Sequence, residues 1–278
     1  MLLDWIHNLK LKNKIALLYV ALITTAFFLS AVFLYSYVAN EIRQNAERNS
    51  TDLLIQVGNF FDEKLKGVIR QIYALRLNPD FNDTLSHFLF NDEKYRYALA
   101  LSRFSSSFAE IGSMEEFVAS IFMDTPKGDF FDLSQIKNPN YNFKKSRLYQ
   151  QLRFSSAGSI YWGLSGRDEI YRGGKNVVPL VFRFAIDGYN GDLFIIVNLE
   201  QQAILNYLNR VYSVKGNWIL ILDEHNREVV SNKASRELAQ QLLFKDVRKL
   251  QLISDNLRGN IKQRFGGTNY IIHYQGLT

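Results

Sequence analysis

A single uninterrupted run, Ile15 to Val38, limits what this chain can fold into more than any other feature of it. Its 24 residues hold no charge, no proline and no glycine, and the only polar members are Thr24, Thr25, Ser30, Ser36 and the tyrosines Tyr19, Tyr35 and Tyr37. As a helix the run rises about 36 Å, enough for a hydrocarbon core of roughly 30 Å. The expectation is a transmembrane helix over residues 15–38, its tyrosines near the two ends suiting the boundary between lipid tails and headgroups. A cleaved signal peptide fits less well. Its apolar part is usually about 7–15 residues long, and Tyr37 with Ala39 makes a poor cleavage site.

The flanks set an orientation. Lys10, Lys12 and Lys14 precede the run, whereas the far side opens with Asn40, Glu41 and Ile42 and only Arg43 close by. Positive charge stays on the cytoplasmic side, so residues 1–14 are expected in the cytoplasm and residues 39–278 outside the cell membrane. The later apolar runs Leu193 to Val197 and Trp218 to Leu222 are strand-sized, which leaves a single-pass chain in contact with a lipid bilayer. The formal charge of +6 is modest and sits partly beside the apolar run, so no nucleic acid is expected as a partner.

Beyond the membrane the pattern is first helical. No proline occurs from Asn40 to Leu77, and Ile42, Ala46, Leu53, Val57, Phe61, Leu65, Val68, Ile72 and Leu75 recur mostly three or four apart. A long juxtamembrane helix is predicted, stopped at Asn78-Pro79 because proline disfavours helix in the residue before it. Its apolar stripe reads either as core packing or as the seam of a homodimer. A second helix is predicted from about Asp92 to Ile111, with Tyr95, Leu99, Leu101, Phe104 and Phe108 on its apolar side and Gly112 closing it.

After Gly112 the period shortens to that of strands. Runs rich in β-branched and aromatic residues occur at Glu116 to Met123, Ser159 to Gly163, Val177 to Ile186, Asp192 to Leu199, Asn217 to Asp223, Arg227 to Ser231, Ile261 to Phe265 and Tyr270 to Tyr274. Turn clusters separate them: Thr125 to Gly128, Arg172 to Lys175, Asp187 to Gly191 and Gly266 to Asn269. Helices are predicted from Gln201 to Val211 and from about Ala234 to Phe244. Antiparallel runs with segregated helices make the fold class α+β, in two sheet modules with a boundary near residues 200–216.

Catalytic chemistry finds little support. There is no cysteine, which excludes thiolate nucleophiles, thiolate metal sites and disulfides, and no two of His7, His87, His225 and His273 stand four apart as a helical zinc pair would. Gly163-Leu164-Ser165-Gly166 is one residue short of a nucleophile elbow, and Arg172-Gly173-Gly174-Lys175 lacks the spacing of a phosphate loop and reads as a hairpin turn. Asp223, Glu224 and His225 read as a polar turn. No catalytic residue, metal ligand or cofactor is nominated, and the chain is not expected to be an enzyme.

Several segments together resemble the double Cache sensors of bacterial receptors, and YesM-type sensor histidine kinases in particular. They are Asn8 to Lys14 before the apolar run, Ile160-Tyr161-Trp162-Gly163, Val178-Pro179-Leu180-Val181-Phe182-Arg183, and Gly191 to Leu199 leading into a helix. The resemblance covers roughly residues 8–278 in order of elements. It implies two PAS-like modules, a membrane-distal one at about 80–200 that holds a small molecule and a proximal one at about 212–278. In the family a second membrane span and a cytoplasmic output domain follow; here the chain stops at Thr278 and has no phosphoacceptor or ATP-binding motif, so it is expected to be the sensor region without kinase activity of its own. A sensor of a membrane-anchored transcriptional regulator or chemoreceptor, or an anchored envelope protein that does not signal, are the alternatives.

Many amino-acid-sensing Cache domains carry an arginine followed two residues later by tryptophan and then tyrosine. Arg147-Leu148-Tyr149-Gln150 keeps the arginine, substitutes tyrosine for tryptophan and loses the last aromatic. With Tyr161 and Trp162 on one strand and Arg183 on the next, Arg147 and Tyr149 complete the candidate ligand site, for a ligand of the sugar, carboxylate or amino acid class. A core ring for Trp162 and a solvated strand position for Arg183 are the competing readings.

Overall fold

The computed structural model describes residues 10–91, 94–152, 158–211, 220–222, 228–231, 258–265 and 268–275. They fall into two compact units, residues 1–56 and 57–278. One helix, α1 (Leu11–Leu77), supplies residues to both, so the expected membrane and juxtamembrane helices are continuous. In the first unit the apolar run is helical throughout and none of it is buried. Two of its hydroxyls are satisfied within the helix, Thr24 donating to the Val20 carbonyl at 2.8 Å and Thr25 to that of Ala21 at 2.7 Å. Among the described residues α1 is the one helix long and apolar enough to cross a membrane.

In the second unit α1 buries Val57, Phe61, Leu65, Val68, Ile72 and Leu75, the later part of the predicted stripe; Ile42 is exposed. The helix ends at Leu77 as expected, but Asn78-Pro79 also begins a helix that the sequence reading passed over, α2 (Pro79–Phe90). Asn78 Oδ1 accepts from the Asp80 and Phe81 N–H groups at 2.8 and 3.2 Å, and Pro79 occupies a first-turn position where no N–H is needed. Next comes α3 (Lys94–Met114). Gly112 does not close it; the helix runs on past the glycine, and Glu115 N–H still reaches the Ile111 carbonyl at 3.1 Å. Its buried seam is Ala100, Phe104, Phe108 and Ile111, so the expected Leu99 lies outside it and is exposed.

The sheet strands are β1 (Val118–Asp124), β2 (Asp129–Phe131), β3 (Ile160–Trp162), β4 (Gly166–Arg167), β5 (Asn176–Ala185) and β6 (Asp192–Glu200), with the short helix α4 (Arg147–Leu152) between β2 and β3. They pair antiparallel in the order β2-β1-β6-β5-β3, with β4 also on β5. The turn clusters at 125–128, 172–175 and 187–191 join strands as predicted, while β2, β4 and α4 are too short to show a period. The central register sets Leu180 against Val197 and Val181 against Ile196. Because side chains alternate, one face carries Ile121, Met123, Leu180, Phe182, Ile195 and Val197 into the core shared with α1, α2 and α3. The other carries Phe122, Val181, Phe194 and Ile196 into a second cluster with Phe143, Leu152, Ile170 and Tyr171.

Helix α5 (Gln201–Val211) has the predicted bounds. Its Ile204 and Leu208 share the core with Val229 and Val230 of β8 (Glu228–Ser231), which pairs with β7 (Leu220–Leu222). A further hairpin joins β9 (Arg258–Phe265) to β10 (Thr268–Gln275). The predicted helix at 234–244 and the polar turn at 223–225 lie outside the described residues.

Candidate functional site

The second sheet face is covered by the segment between β2 and β5. A bridge joins Lys137 to Tyr171, and Asn138 N–H donates to the Ile170 carbonyl at 2.7 Å, tying the segment's start to its end. Asn138 Oδ1 accepts from Asn140 N–H at 3.1 Å, an Asx turn, and Ser146 Oγ accepts from Tyr149 N–H at 3.1 Å to cap α4. This course drops Phe143 and Tyr149 onto Phe194 of β6, with ring centroids 5.2 and 5.7 Å away.

Three of the five sequence-nominated residues face this layer. Tyr149 is half-buried in it, Tyr161 sits opposite Val181 with its hydroxyl 3.5 Å from Gln151 Oε1, and Arg183 lies over the Phe194 ring at 5.7 Å. Arg183 is half-buried and paired: Nε and a terminal nitrogen donate to Asp192 Oδ2 at 3.0 and 2.7 Å. Trp162 is not brought together with them. It follows Tyr161 directly on β3, alternation turns it to the opposite face, and there it packs on the helix-side core, the core-ring alternative. Arg147, the first residue of α4, is exposed.

Two clefts open along the same segment. The larger, of about 600 Å³, is lined by Asn138, Asn140, Lys145, Arg167 and Arg172 among others. The smaller, of about 440 Å³, is lined by Tyr97, Asp124, Lys127, Phe143 and Lys144. Tyr141 and Asn142 border both.

The smaller cleft contains the least satisfied group in the described structure. Asp124 ends β1 and is 8% exposed, yet its Oδ2 has no hydrogen-bond partner, and Lys144 Nζ stands 4.0 Å off. Burial pushes its carboxyl up to about 6; Lys144 and Lys137 oppose the rise and Asp129 adds to it. Asp129 is itself engaged by Lys137, whose ammonium lies 5.7 and 5.5 Å from the Phe122 and Phe131 ring centres.

Asp168 presents the contrasting case. It is buried where β1, β6 and the approach to β5 meet, and Oδ2 accepts from Ser120 Oγ at 3.1 Å and Asn198 Nδ2 at 3.0 Å while Oδ1 accepts from Ile170 N–H at 2.8 Å. Burial raises its carboxyl, and these bonds partly offset the rise. Sequence reasoning missed both aspartates. Asp124 precedes a Thr-Pro-Lys-Gly turn, where aspartate is unremarkable, and the Asp168 partners lie 48 and 30 residues away in the chain.

No protein-family model matches the chain, and neither does any curated protein. Solved structures do. The ligand-binding domain of the Campylobacter jejuni chemoreceptor Tlp3, in complex with L-norvaline, is 13% identical over 81% of this chain and 83% of its own, with a TM-score of 0.53. A domain of a Vibrio parahaemolyticus protein described as belonging to the sensory box/GGDEF family is 9% identical over 84% of this chain and 97% of its own, with a TM-score of 0.50. The chain thus shares the α+β fold of these domains, with a long apolar N-terminal helix and an antiparallel sheet.

Proposed function

We propose that this chain is the extracytoplasmic sensing region of a bacterial membrane receptor, binding a small molecule in its second unit and anchored in the cell membrane by residues 15–38 of α1. The observation that carries this reading is one chain combining a wholly exposed apolar helical run with a fold shared with a chemoreceptor's ligand-binding domain. An exposed apolar surface of that extent needs a non-aqueous partner, and a bilayer supplies one. The lysines before the run support a cytoplasmic N-terminus. The distal Cache module is assigned to about residues 80–200 and the proximal one to about 212–278.

The output is proposed to be a two-component histidine kinase of the YesM type, on the segments in residues 8–199 that resemble that family. The likeness to a chemoreceptor domain favours chemotaxis as the second reading. Tyr149, Tyr161 and Arg183, on one sheet face, are the nominated ligand contacts, with Arg147 at the exposed start of α4. A ligand that binds two conformations of this unit unequally shifts their populations, and α1, packed on the core from Val57 to Leu75, is the element suited to carry the shift toward the bilayer as a small slide or rotation. A homodimer is the proposed state, on the apolar stripe that begins at Ile42, which is exposed.

Orientation has a clean test because the chain has no cysteine to interfere. Asn13→Cys and Ser113→Cys are both at exposed positions. In intact cells with a permeable outer layer, a membrane-impermeant maleimide is expected to label position 113 and to reach position 13 only after the membrane is lysed. Equal labelling of both before lysis contradicts the orientation.

A further inference from the structure

Resting on the reading of the second unit as a ligand-binding sensor, we propose that the smaller cleft is a subsite for a neutral polyhydroxylated ligand, a carbohydrate or polyol, whose adjacent hydroxyls engage Asp124 and Lys144. The starting point is the bare Asp124 Oδ2. Buried polar atoms are nearly always hydrogen-bonded, and a carboxylate oxygen left without a donor is costly enough that proteins retain few. Asp124 lines the cleft, so a donor arriving there completes it.

The position is built. Thr125 N–H and its hydroxyl both donate to the Gly128 carbonyl, at 2.9 and 2.6 Å, and Gly128 N–H returns a bond to Thr125 Oγ1 at 3.1 Å, closing the turn that follows Asp124. The β5–β6 turn braces it from outside. At Gly191, φ is +153°, and a Cβ there would come within 2.5 Å of Pro126 Cγ, so only glycine permits this approach.

Charge selects the class of donor. Lys127 and Lys144 line the cleft beside Asp124 and Asp129, so the lining is charge-balanced and a lone ammonium would meet as many like charges as opposite ones. A carboxylate would meet Asp124 itself. Neutral hydroxyls avoid both costs: one donates to Asp124 Oδ2, and its neighbour accepts from Lys144 Nζ, 4.0 Å from that oxygen. The rings of Tyr97, Tyr141 and Phe143 suit the C–H faces of a sugar, and the Asn142 amide both donates and accepts. A cleft of about 440 Å³ suits one or two sugar rings, and the shared border at Tyr141 and Asn142 leads to the larger cleft with Asn138 and Asn140, so di- and trisaccharides are expected to bind more tightly than monosaccharides.

The test is titration calorimetry on all 278 residues in lipid nanodiscs. The probes are neutral mono-, di- and trisaccharides of glucose, galactose, mannose, xylose and rhamnose, with glucosamine, glucuronate and L-norvaline as charged comparisons. At least one neutral saccharide is expected to bind, with affinity weakened tenfold or more by Asp124→Asn and severalfold by Lys144→Ala in proteins that still unfold cooperatively. Affinity within twofold of wild type in both variants overturns the subsite, and binding confined to charged probes overturns the ligand class; both leave the sensor reading intact. Silence from every saccharide also overturns the inference, whereas silence from every class of small molecule removes the sensor reading with it.

Discussion

Replacing Asp168 with alanine is expected to cost on the order of 3–5 kcal/mol of folding stability, the largest effect of any polar substitution in the described structure. The carboxylate accepts from Ser120, Asn198 and Ile170 N–H, so its removal takes a bond from each of three donors where β1, β6 and the approach to β5 meet and leaves only the 3.0 Å bond from Asn198 Nδ2 to Ser120 Oγ among them. The Ser120 and Ile170 donors then forfeit a bond to water without recovering one in the protein. Asp168→Asn, which keeps the shape and one acceptor oxygen, should cost less than half as much. Denaturant unfolding of the purified protein measures both, with a lower midpoint and an unchanged slope as the expected signature. A loss under about 1 kcal/mol for the alanine variant would show that water replaces the carboxylate and that the three bonds do not organise the sheet.

Asp124 is expected to behave in the opposite sense. Its carboxyl titrates near 6 in the folded protein against 3.8 for the unperturbed group, because burial disfavours the charged form. A raised carboxyl binds its proton more tightly in the folded state. Its favourable contribution is therefore fully present below about pH 4 and lost as pH rises through 6. At pH 7 to 8 the ionised side chain, only partly offset by Lys144 4.0 Å away, costs on the order of 3 kcal/mol, and Asp124→Asn removes that cost. The variant should gain stability over wild type as pH rises from 4 to 7, and the gain should level off above 7. Lys144, Lys137 and Asp129, the charges facing Asp124, set the midpoint, so Lys144→Ala should move it further up. A difference between variant and wild type that stays flat from pH 4 to 8 would mean that Asp124 ionises as freely as an exposed aspartate. A stabilising substitution at a cleft residue is what a binding site leads one to expect, since such sites hold groups poised for a ligand at the expense of stability.

Much of the frame was legible in the sequence, because long elements repeat their period several times. The stripe from Val57 to Leu75 marks the buried side of α1, and the apolar runs Val178 to Arg183 and Leu193 to Leu199 mark the two central strands, which are buried on both faces. Shorter pieces carry too few repeats. The three residues of β2 and the six of α4 have no readable period, and Asn78-Pro79 was legible as a stop but equally encodes the start of α2. The site was legible only where the frame was. The sequence reading grouped Tyr161 with Trp162, and strand alternation parts them: Tyr161 lies on the Phe194 face of the sheet and Trp162 packs on the helix-side core. What makes Asp124 and Asp168 distinctive is the company that the fold assembles around them, and no local pattern records that.

The most direct test of the sensor reading is a thermal-shift screen of all 278 residues in nanodiscs against sugars, amino acids, organic acids and short peptides. A ligand at a hundredfold excess over its Kd adds about 2.7 kcal/mol to the folded state, roughly a 5–10 °C rise for a unit of this size. A sensor of small molecules gives a saturable rise with at least one class, reduced when Tyr149 or Arg183 is replaced in a variant that still folds. An unmoved midpoint across the whole library, from protein shown to be folded and inserted, would contradict the reading and leave an anchored envelope protein that does not sense a small molecule.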